Sequence, residues 1–530
     1  MDTSFLSAGT DPILTCAEAM DFERSLLTDS GAEWDAMKQV GAALGKGIAF
    51  EYGLSRFRRK ELHALVLVGK GHNGGDALLG LAELCRLGLI QGATLLFAAP
   101  EAELKVNTRR ALGEFRDRDD CERVEYFPAE DEMATYLERI ESALAGKRFD
   151  LCMDGFLGMQ FHPPLRQVAK GLIHLANELC SCRLRVAVDV PSGVGDAVDK
   201  AAFRADVTFA TGVGKAGLFL REAHNFTGSI RYLDVGFFDK ASFRGKKEML
   251  IKDSVLGPLR ERRPATAEKR QFGHLMIVAG SRHMPGALAM CVMAALCSGV
   301  GLVTVVAPES RVAALSARYP EAMWVECSET PDGGLALENL YLIRRYMQRG
   351  TALLVGPGMG REPETIELAR ELVRQWKGPL LLDADALQTS VVEALRENEP
   401  SRAVLTPHAG EMKRLAGTAD AKAWTEDLGC VLALKGANSR VYFGGNEYVN
   451  TSGNGVLSRG GSGDLLSGIL GGLLANGAWS PEEVAVMSVY WHGKAADLLA
   501  YHCGQTAART TQVIDCLSDA LVEEDVWSSV

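Results

Sequence analysis

Three carboxylates stand where this chain could do chemistry. Asp464 follows Gly460-Gly461-Ser462-Gly463 and precedes an apolar run with no charge until Glu482. Glycine lets such a turn take positive φ and come close to a ligand. A helix starting near Asp464 would leave its first N–H groups unpaired in that turn, at an end whose partial positive charge suits a phosphate. Asp464 would lie beside that anion, placed to take the proton of a hydroxyl as it attacks a nucleotide's terminal phosphate. The plainer reading is a glycine turn capped by Asp ahead of a buried helix, since Asp caps well. The other two carboxylates, Asp154 in MDGFLG and Asp189 in VDVPSG, come at or near the ends of apolar stretches.

The elements that must carry these residues are those of an α/β protein. His63–Val68 reads as a strand ending in Gly69-Lys70-Gly71-His72-Asn73-Gly74-Gly75-Asp76, and Leu78–Leu87 then reads as a helix. Strand, glycine turn and helix make the unit whose turns bind ligands outside the carboxyl ends of the strands. Residues 11–55 show the three- and four-residue apolar spacing of helices. Further strands are predicted at Ala93–Phe97, Asp150–Met153, Arg185–Val190, Val207–Ala210 and Ser229–Leu233, with a charged helix-and-loop region over 101–141. A parallel sheet covered by helices on both faces follows. Around 238–269 the character changes: Lys240, Arg244, Lys246, Lys247, Arg260, Arg262 and Arg263 gather with Pro258 and Pro264. This stretch reads as a solvated linker in preference to a phosphate site, and it divides the chain into domains at 1–240 and 241–530.

A second α/β series begins at His274. Strands are predicted at Leu275–Ala279, Leu302–Val306, Ala352–Val355, Leu380–Leu382, Ala403–Leu405, Cys430–Leu434 and Val441–Phe443, with closing helices near Val484–Tyr501 and Val513–Glu523. Residues 284–308 carry no charge, a length that could cross a bilayer. Gly286, Gly299, Gly301 and the β-rich Val303–Val306 instead predict a buried helix, a glycine stop and a buried strand.

Composition bounds the function. At 530 residues the chain has room for two or more domains, and 47% hydrophobic with 24% charged residues is ordinary for a globular protein. A net charge of −11 argues against a general nucleic-acid or anionic-membrane binder. The 12 cysteines are scattered, form no CxxC pair and often fall in apolar runs, as with Cys291 and Cys297, as expected of reduced thiols in a cytoplasmic protein. No basic-then-apolar leader opens the sequence.

Five turns follow strand ends ahead of GGSGD: Gly280-Ser281, Gly356-Pro357-Gly358-Met359-Gly360, Asp383-Ala384-Asp385, Thr406-Pro407-His408-Ala409-Gly410-Glu411 and Lys435-Gly436-Ala437-Asn438-Ser439. Each is weak alone; in this order they are specific. The set resembles the ribokinase-like superfamily, and within it the ADP- or ATP-dependent NAD(P)H-hydrate dehydratases, from about Ser254 onward. The resemblance implies a ribokinase-like α/β sandwich. It implies an adenine nucleotide on Lys435, Gly436, Ala437, Asn438, Ser439 and Gly463, and contacts to the damaged cofactor from Ala287, Gly360, His408 and Asp464. It also implies Mg2+ and a phosphoryl donor, with ADP preferred to ATP because fused members use it. The hydrate's ring hydroxyl would be phosphorylated with Asp464 as base, and loss of phosphate would restore the double bond. The sequence departs from the family at Glu268-Lys269-Arg270, where His-Lys-Gly is usual.

GKGHNGGD, DGFLG and DVPSG are similar to the motifs of the NAD(P)H-hydrate epimerase domain, a Rossmann-like doubly wound sheet, over roughly residues 11–240. That resemblance implies a hydrate site lined by His72, Asn73, Gly74, Gly75, Asp76, Gly158, Met159, Gln160, Phe161, His162, Pro163, Pro164 and Asp189. Asp189 would move a proton while the ring carbon inverts, and Asn73, Asp154 and Ser192 would hold K+, for which hard oxygen donors are suited. His72 and Ala77 replace the usual Asn and Gly. The expected substrates are NAD(P)H hydrates and an adenine nucleotide, with no nucleic-acid or membrane partner; a homo-oligomer stays open. The rival is a ribokinase-like small-molecule kinase whose first domain is a non-catalytic interaction module.

Overall fold

The computed structural model describes residues 5–53, 62–97, 99–118, 123–127, 133–179, 181–240, 243 and 245–522. Arg244 and two pieces of the charged 101–141 region, 119–122 and 128–132, lie outside the described residues. Contacts divide the chain into two compact units, one built on Asp11–Lys246 and the other from Met1–Thr10 with Lys247–Glu524.

The first unit holds strands β1 (Thr10–Leu14), β2 (Leu62–Val68), β3 (Ile90–Phe97), β4 (Arg123–Phe127), β5 (Arg148–Gly155), β6 (Ser181–Val188), β7 (Val207–Thr211), β8 (Gly214–Lys215) and β9 (Ser229–Leu233). Seven form a parallel sheet in the order β4-β3-β2-β5-β6-β7-β9. β1 pairs with β8. Along β2, Leu62, Ala64, Val66 and Val68 enter one apolar cluster while Leu65 and Leu67 enter another on the opposite face. Burial on both faces is why this stretch reads as an unbroken apolar run. The strand order reverses direction between β2 and β5, so a crevice for ligand is expected where those two strands end.

Two local expectations are corrected here. Residues 10–14 are a strand instead of helix, because Pro12 and the Asp11 carboxylate, which accepts the Tyr232 hydroxyl at 2.7 Å, hold the chain extended. Helices Cys16–Leu26 and Ser30–Tyr52 follow, the first started by a Thr15/Glu18 capping box. The segment His72–Asp76 is the first turn of a helix, His72–Arg86, and not a loop before it.

The second unit holds β10 (Glu248–Ile251), β11 (His274–Val278), β12 (Leu302–Pro308), β13 (Met323–Cys327), β14 (Ala352–Val355), β15 (Leu380–Leu382), β16 (Ala403–Leu405), β17 (Val431–Leu434), β18 (Arg440–Phe443) and β19 (Asn446–Val449). Within this unit they run in the order β13-β12-β11-β14-β15-β16-β17-β18-β19-β10. β13 to β17 are parallel, and β17, β18 and β19 meander antiparallel. The order reverses at β11 and β14. The strands predicted at 352–355, 380–382 and 403–405 are found at those bounds. The region 284–308 is helix Pro285–Cys297 followed by β12, and no helix among the described residues is long and apolar enough to cross a membrane.

The expected linker is built into the fold. It contributes β10, which pairs with β19, and helix Gly257–Arg260. Three of its basic residues are engaged: Lys246 Nζ donates to Glu18 at 2.7 Å, Arg260 to Asp253 and the Leu521 carbonyl, and Arg263 lies 4.0 Å over Phe272 while donating to the Gly299 carbonyl. Near the chain's end, a 3-10 turn over Thr510–Cys516 precedes helix Leu517–Val522, where one helix was predicted.

Helix Ser462–Asn476 carries Asp464 and the end of the Gly-Gly-Ser-Gly turn. Its N-cap is Gly461 at φ 92°, a conformation that favours glycine. Twelve of its residues are buried, and Gly468 comes so near the Cys291 carbonyl that a Cβ would sit 2.2 Å from it. The helix therefore lies hard against Pro285–Cys297, which fixes where its first turn points.

Candidate active sites

In the second unit the predicted residues converge. Asp464 is the third residue of helix Ser462–Asn476; Gly461 is the cap, so the plain capping role is not the one Asp464 fills. Burial raises its pKa from 3.8 to about 7, helped by Asp383 and Asp385 and opposed by Lys435. Such a carboxylate is poised to accept a proton near neutrality.

Its neighbours stand at the carboxyl ends of adjacent parallel strands. Asp383 ends β15, His408 follows β16 and Lys435 follows β17. Lys435 N–H donates to the Pro407 carbonyl at 2.9 Å, which brings His408 alongside it. His408 caps helix Ala409–Ala416: its Nδ1 accepts from the Gly410 and Glu411 amides, leaving Nε2 turned toward solvent and Glu411. Gly360, at φ 88°, donates its N–H to Asp385 at 3.1 Å, and Arg361 donates to the other oxygen of the same carboxylate. Ala287 faces the same loop, since a Cβ on Gly358 would lie 2.9 Å from the Ala287 Cβ. Lys435–Ser439 is the hairpin loop between β17 and β18. Gly436 and Ala437 are exposed, and the Ser439 hydroxyl closes the loop on the Gly436 backbone. A Cβ on Gly463 would be 3.2 Å from Lys435 Nζ, so the helix start and the loop face each other.

Sequence reasoning named the Asp383 turn without giving it a role. The structure makes Asp383 the hub: Lys435 Nζ at 2.8 Å, Thr406 Oγ1 at 2.8 Å and Ser467 Oγ at 2.6 Å all donate to its buried carboxylate. Only a tertiary contact between strand ends and helix reveals that.

In the first unit, two groups meet at the β2/β5 crevice. Asp154, fully buried at the end of β5, accepts the Ser192 N–H at 2.7 Å and the Ser192 hydroxyl at 2.6 Å. Burial raises its pKa to about 6 against those bonds. Ser192 Oγ accepts the Leu157 N–H, and Asn73 Nδ2 donates to the Leu157 carbonyl. Asn73, Asp154 and Ser192 are thus joined through one loop residue, and Asn73 Oδ1 is buried without a hydrogen-bond partner.

Three residues before Ser192, Asp189 sits at φ 66°, an uncommon backbone for a non-glycine residue. Its Oδ1 accepts from Thr211 N–H and Oγ1 and from the fully buried Lys215 ammonium. Lys215 also donates to the Thr211 carbonyl at 2.8 Å and lies 3.9 Å from Glu23. Burial lowers the Lys215 pKa, but Asp189 and Glu23 outweigh it and the net shift is upward. Glu23 is pushed up to about 7 by burial, and Asp76 well above its usual value by burial, Asp189 and Glu23. Asp76 Oδ1 is a second buried oxygen without a partner. Lys215 and Glu23 were not foreseen: the first lies in a short β8 and the second on a helix with no motif. His72 has its pKa lowered by burial and Lys105, with Glu33 Oε2 3.6 Å away pulling the other way.

Gly74 and Gly75 are buried in the helix turn beside Asn73. Gly158 lies next to Asn73, and Met159 packs against the cluster containing Val213. Phe161 is partly buried, whereas Gln160, His162, Pro163 and Pro164 are exposed on the same loop.

These two constellations agree with the comparisons. Residues 275–518 match the NAD(P)H-hydrate dehydratase family, and residues 35–217 match the YjeF-related protein N-terminus family. The chain is 32% identical over 510 residues to the bifunctional NAD(P)H-hydrate repair enzyme Nnr of Gloeobacter violaceus, covering 92% of this chain and 93% of that one. It is 30% identical to the protein of the same description from Moorella thermoacetica, over 88% and 89% of the two chains. The chain belongs to the bifunctional NAD(P)H-hydrate repair enzyme family. Membership carries two functions, epimerisation of NAD(P)H hydrates and their nucleotide-dependent dehydration. Among solved structures, the ADP/ATP-dependent NAD(P)H-hydrate dehydratase of Bacillus subtilis, co-crystallised with ATP/Mg2+, is 26% identical over 50% of this chain and 94% of its own, at a TM-score of 0.42.

Proposed function

We propose that the second unit dehydrates the S hydrate by phosphoryl transfer. The adenine nucleotide, ADP in preference to ATP, lies on Lys435–Ser439 and against Gly463. The hydrate contacts Ala287, Gly360, His408 and Asp464. Asp464 takes the proton of the ring hydroxyl, the oxygen attacks the terminal phosphorus, and the shortened nucleotide leaves. The C–O bond of the ester then breaks with its electron pair going to phosphate, a proton leaves the neighbouring ring carbon, and the double bond returns. Among the described residues no group of three or more His, Cys, Asp or Glu could hold a metal ion. Mg2+ would arrive on the nucleotide phosphates, as it does where protein supplies few ligands. The observation that carries this reading is the half-buried Asp464 at an amide-lined helix start, with its pKa near 7 and Lys435 within its field.

The first unit interconverts the R and S hydrates. Asp189 and Lys215 form a carboxylate–ammonium pair that can take a proton on one side of the reacting carbon and return it on the other. The site residues would be His72–Asp76, Gly158–Pro164 and Asp189. Asn73, Asp154 and Ser192 fit K+, because the unpaired Asn73 Oδ1 is a hard donor and Leu157 links it to the Ser192–Asp154 pair. The ion would supply a fixed positive charge beside Asp154.

A mixture of R and S hydrates incubated with the protein and ADP, or ATP in a parallel run, tests both halves. The expected result is full recovery of NADH with one free phosphate per NADH. Recovery stopping at the S fraction refutes the epimerase assignment, and no recovery with either nucleotide refutes the dehydratase assignment.

A further inference from the structure

Three separate elements send donors into the Asp383 carboxylate. Lys435 comes from the end of β17, Thr406 from the end of β16, and Ser467 from the Asp464 helix. Asp383 is 1% exposed. Ser467 lies three residues after Asp464, on the same side of the helix. We propose that Asp383 is a positioning residue of the dehydratase centre, holding the Lys435 ammonium and the Asp464 helix in one fixed relation. The inference rests on the reading of Asp464 as the base.

Two consequences follow from this geometry. A lysine tied to a buried carboxylate loses little freedom when phosphate arrives, so nucleotide binding depends on Asp383 through Lys435. The same carboxylate also faces Asp464 as a like charge, which favours the protonated form of the base. The other groups facing Asp464 are Lys435, Asp385 and the Cys291 thiol, while Lys435 is also faced by Glu411 and His492. Without the Asp383 charge, the like-charge repulsion on Asp464 is gone and the Lys435 ammonium is held less tightly away from it, and both changes lower the pKa of the base.

The test is Asp383→Asn, an isosteric change that keeps an acceptor for Lys435 and Thr406. The pH profile of kcat for the S hydrate is expected to have its acid limb moved down by about one pH unit, and KM for the nucleotide is expected to rise about tenfold. A merely structural residue would lower kcat without moving the limb, so an unmoved limb with unchanged nucleotide KM overturns the proposal. Ser467→Ala decides independently of whether Asp383→Asn folds. It cuts the tie to the helix alone, and kcat is expected to fall about tenfold, the value of one hydrogen bond to a charged group, with nucleotide KM within about twofold of wild type. Unchanged kcat in Ser467→Ala overturns the proposal as well. Asp464→Asn run in parallel separates the failures: if it stays active, the base reading is what fails.

Discussion

Asp464→Asn should make the protein both inactive and more stable. The carboxyl titrates at 3.8 in its ordinary state and about 7 in the fold. At about 1.4 kcal/mol per unit, full ionisation costs the native state about 4 kcal/mol. Solvent reaching the partly exposed carboxylate reduces this to about 2 kcal/mol. Because the folded value lies above the unfolded one, the native state binds the proton more tightly. Its contribution is whole below the unfolded pKa and is lost as pH rises through the folded one. Between about pH 5 and about pH 8 the wild type should lose about 1–2 kcal/mol that the Asn variant keeps. By scanning calorimetry the gap in Tm between the two should widen by a few degrees over that range, at about 2–4 °C per kcal/mol. In the same samples, NADH recovery from the S hydrate should fall about 100- to 10,000-fold, the usual worth of a general base. A variant that turns over near the wild-type rate, or whose Tm gap does not widen with pH, would refute the reasoning.

Asp189→Asn should leave the R hydrate unrepaired beyond its spontaneous epimerisation while the S hydrate is still consumed, read by chromatography of the two epimers. Lys215→Met should strand Asp189 and Glu23 without their cation and cost about 3–5 kcal/mol. The double variant Lys215→Met/Asp189→Asn should recover much of that in a denaturant melt, and no recovery would mean the pair is not coupled. Gly463→Ala should raise nucleotide KM about tenfold, because its Cβ would press on the Lys435 ammonium and displace a charge-assisted contact.

Much of the α/β architecture was legible because buried parallel strands are nearly continuous apolar runs. Leu380–Leu382 and Ala403–Leu405 could be placed by that signal alone. β13 was not, since Met-Trp-Val-Glu-Cys is a half-exposed edge strand with a charge in it. β10 was hidden among the basic residues of an expected linker. The helix start at His72 was missed because two glycines there argue locally for a turn, and packing against the neighbouring elements overrides them. The motif residues of both sites were named, since glycine turns and strand-end acids leave a local trace. Lys215, Glu23 and the role of Asp383 left none: each acquires its meaning from a partner far along the chain, at 26 residues for Lys215 to Asp189 and 84 for Ser467 to Asp383.

The measurement closest to the central claim follows the hydroxyl oxygen. S hydrate prepared with 18O in its ring hydroxyl is turned over with ADP or ATP, and the inorganic phosphate is examined by mass spectrometry. If Asp464 activates that hydroxyl to capture the phosphoryl group, the label leaves in phosphate, one atom per NADH restored. Label appearing in water, with unlabelled phosphate, would mean the ring loses its hydroxyl without ever becoming an ester.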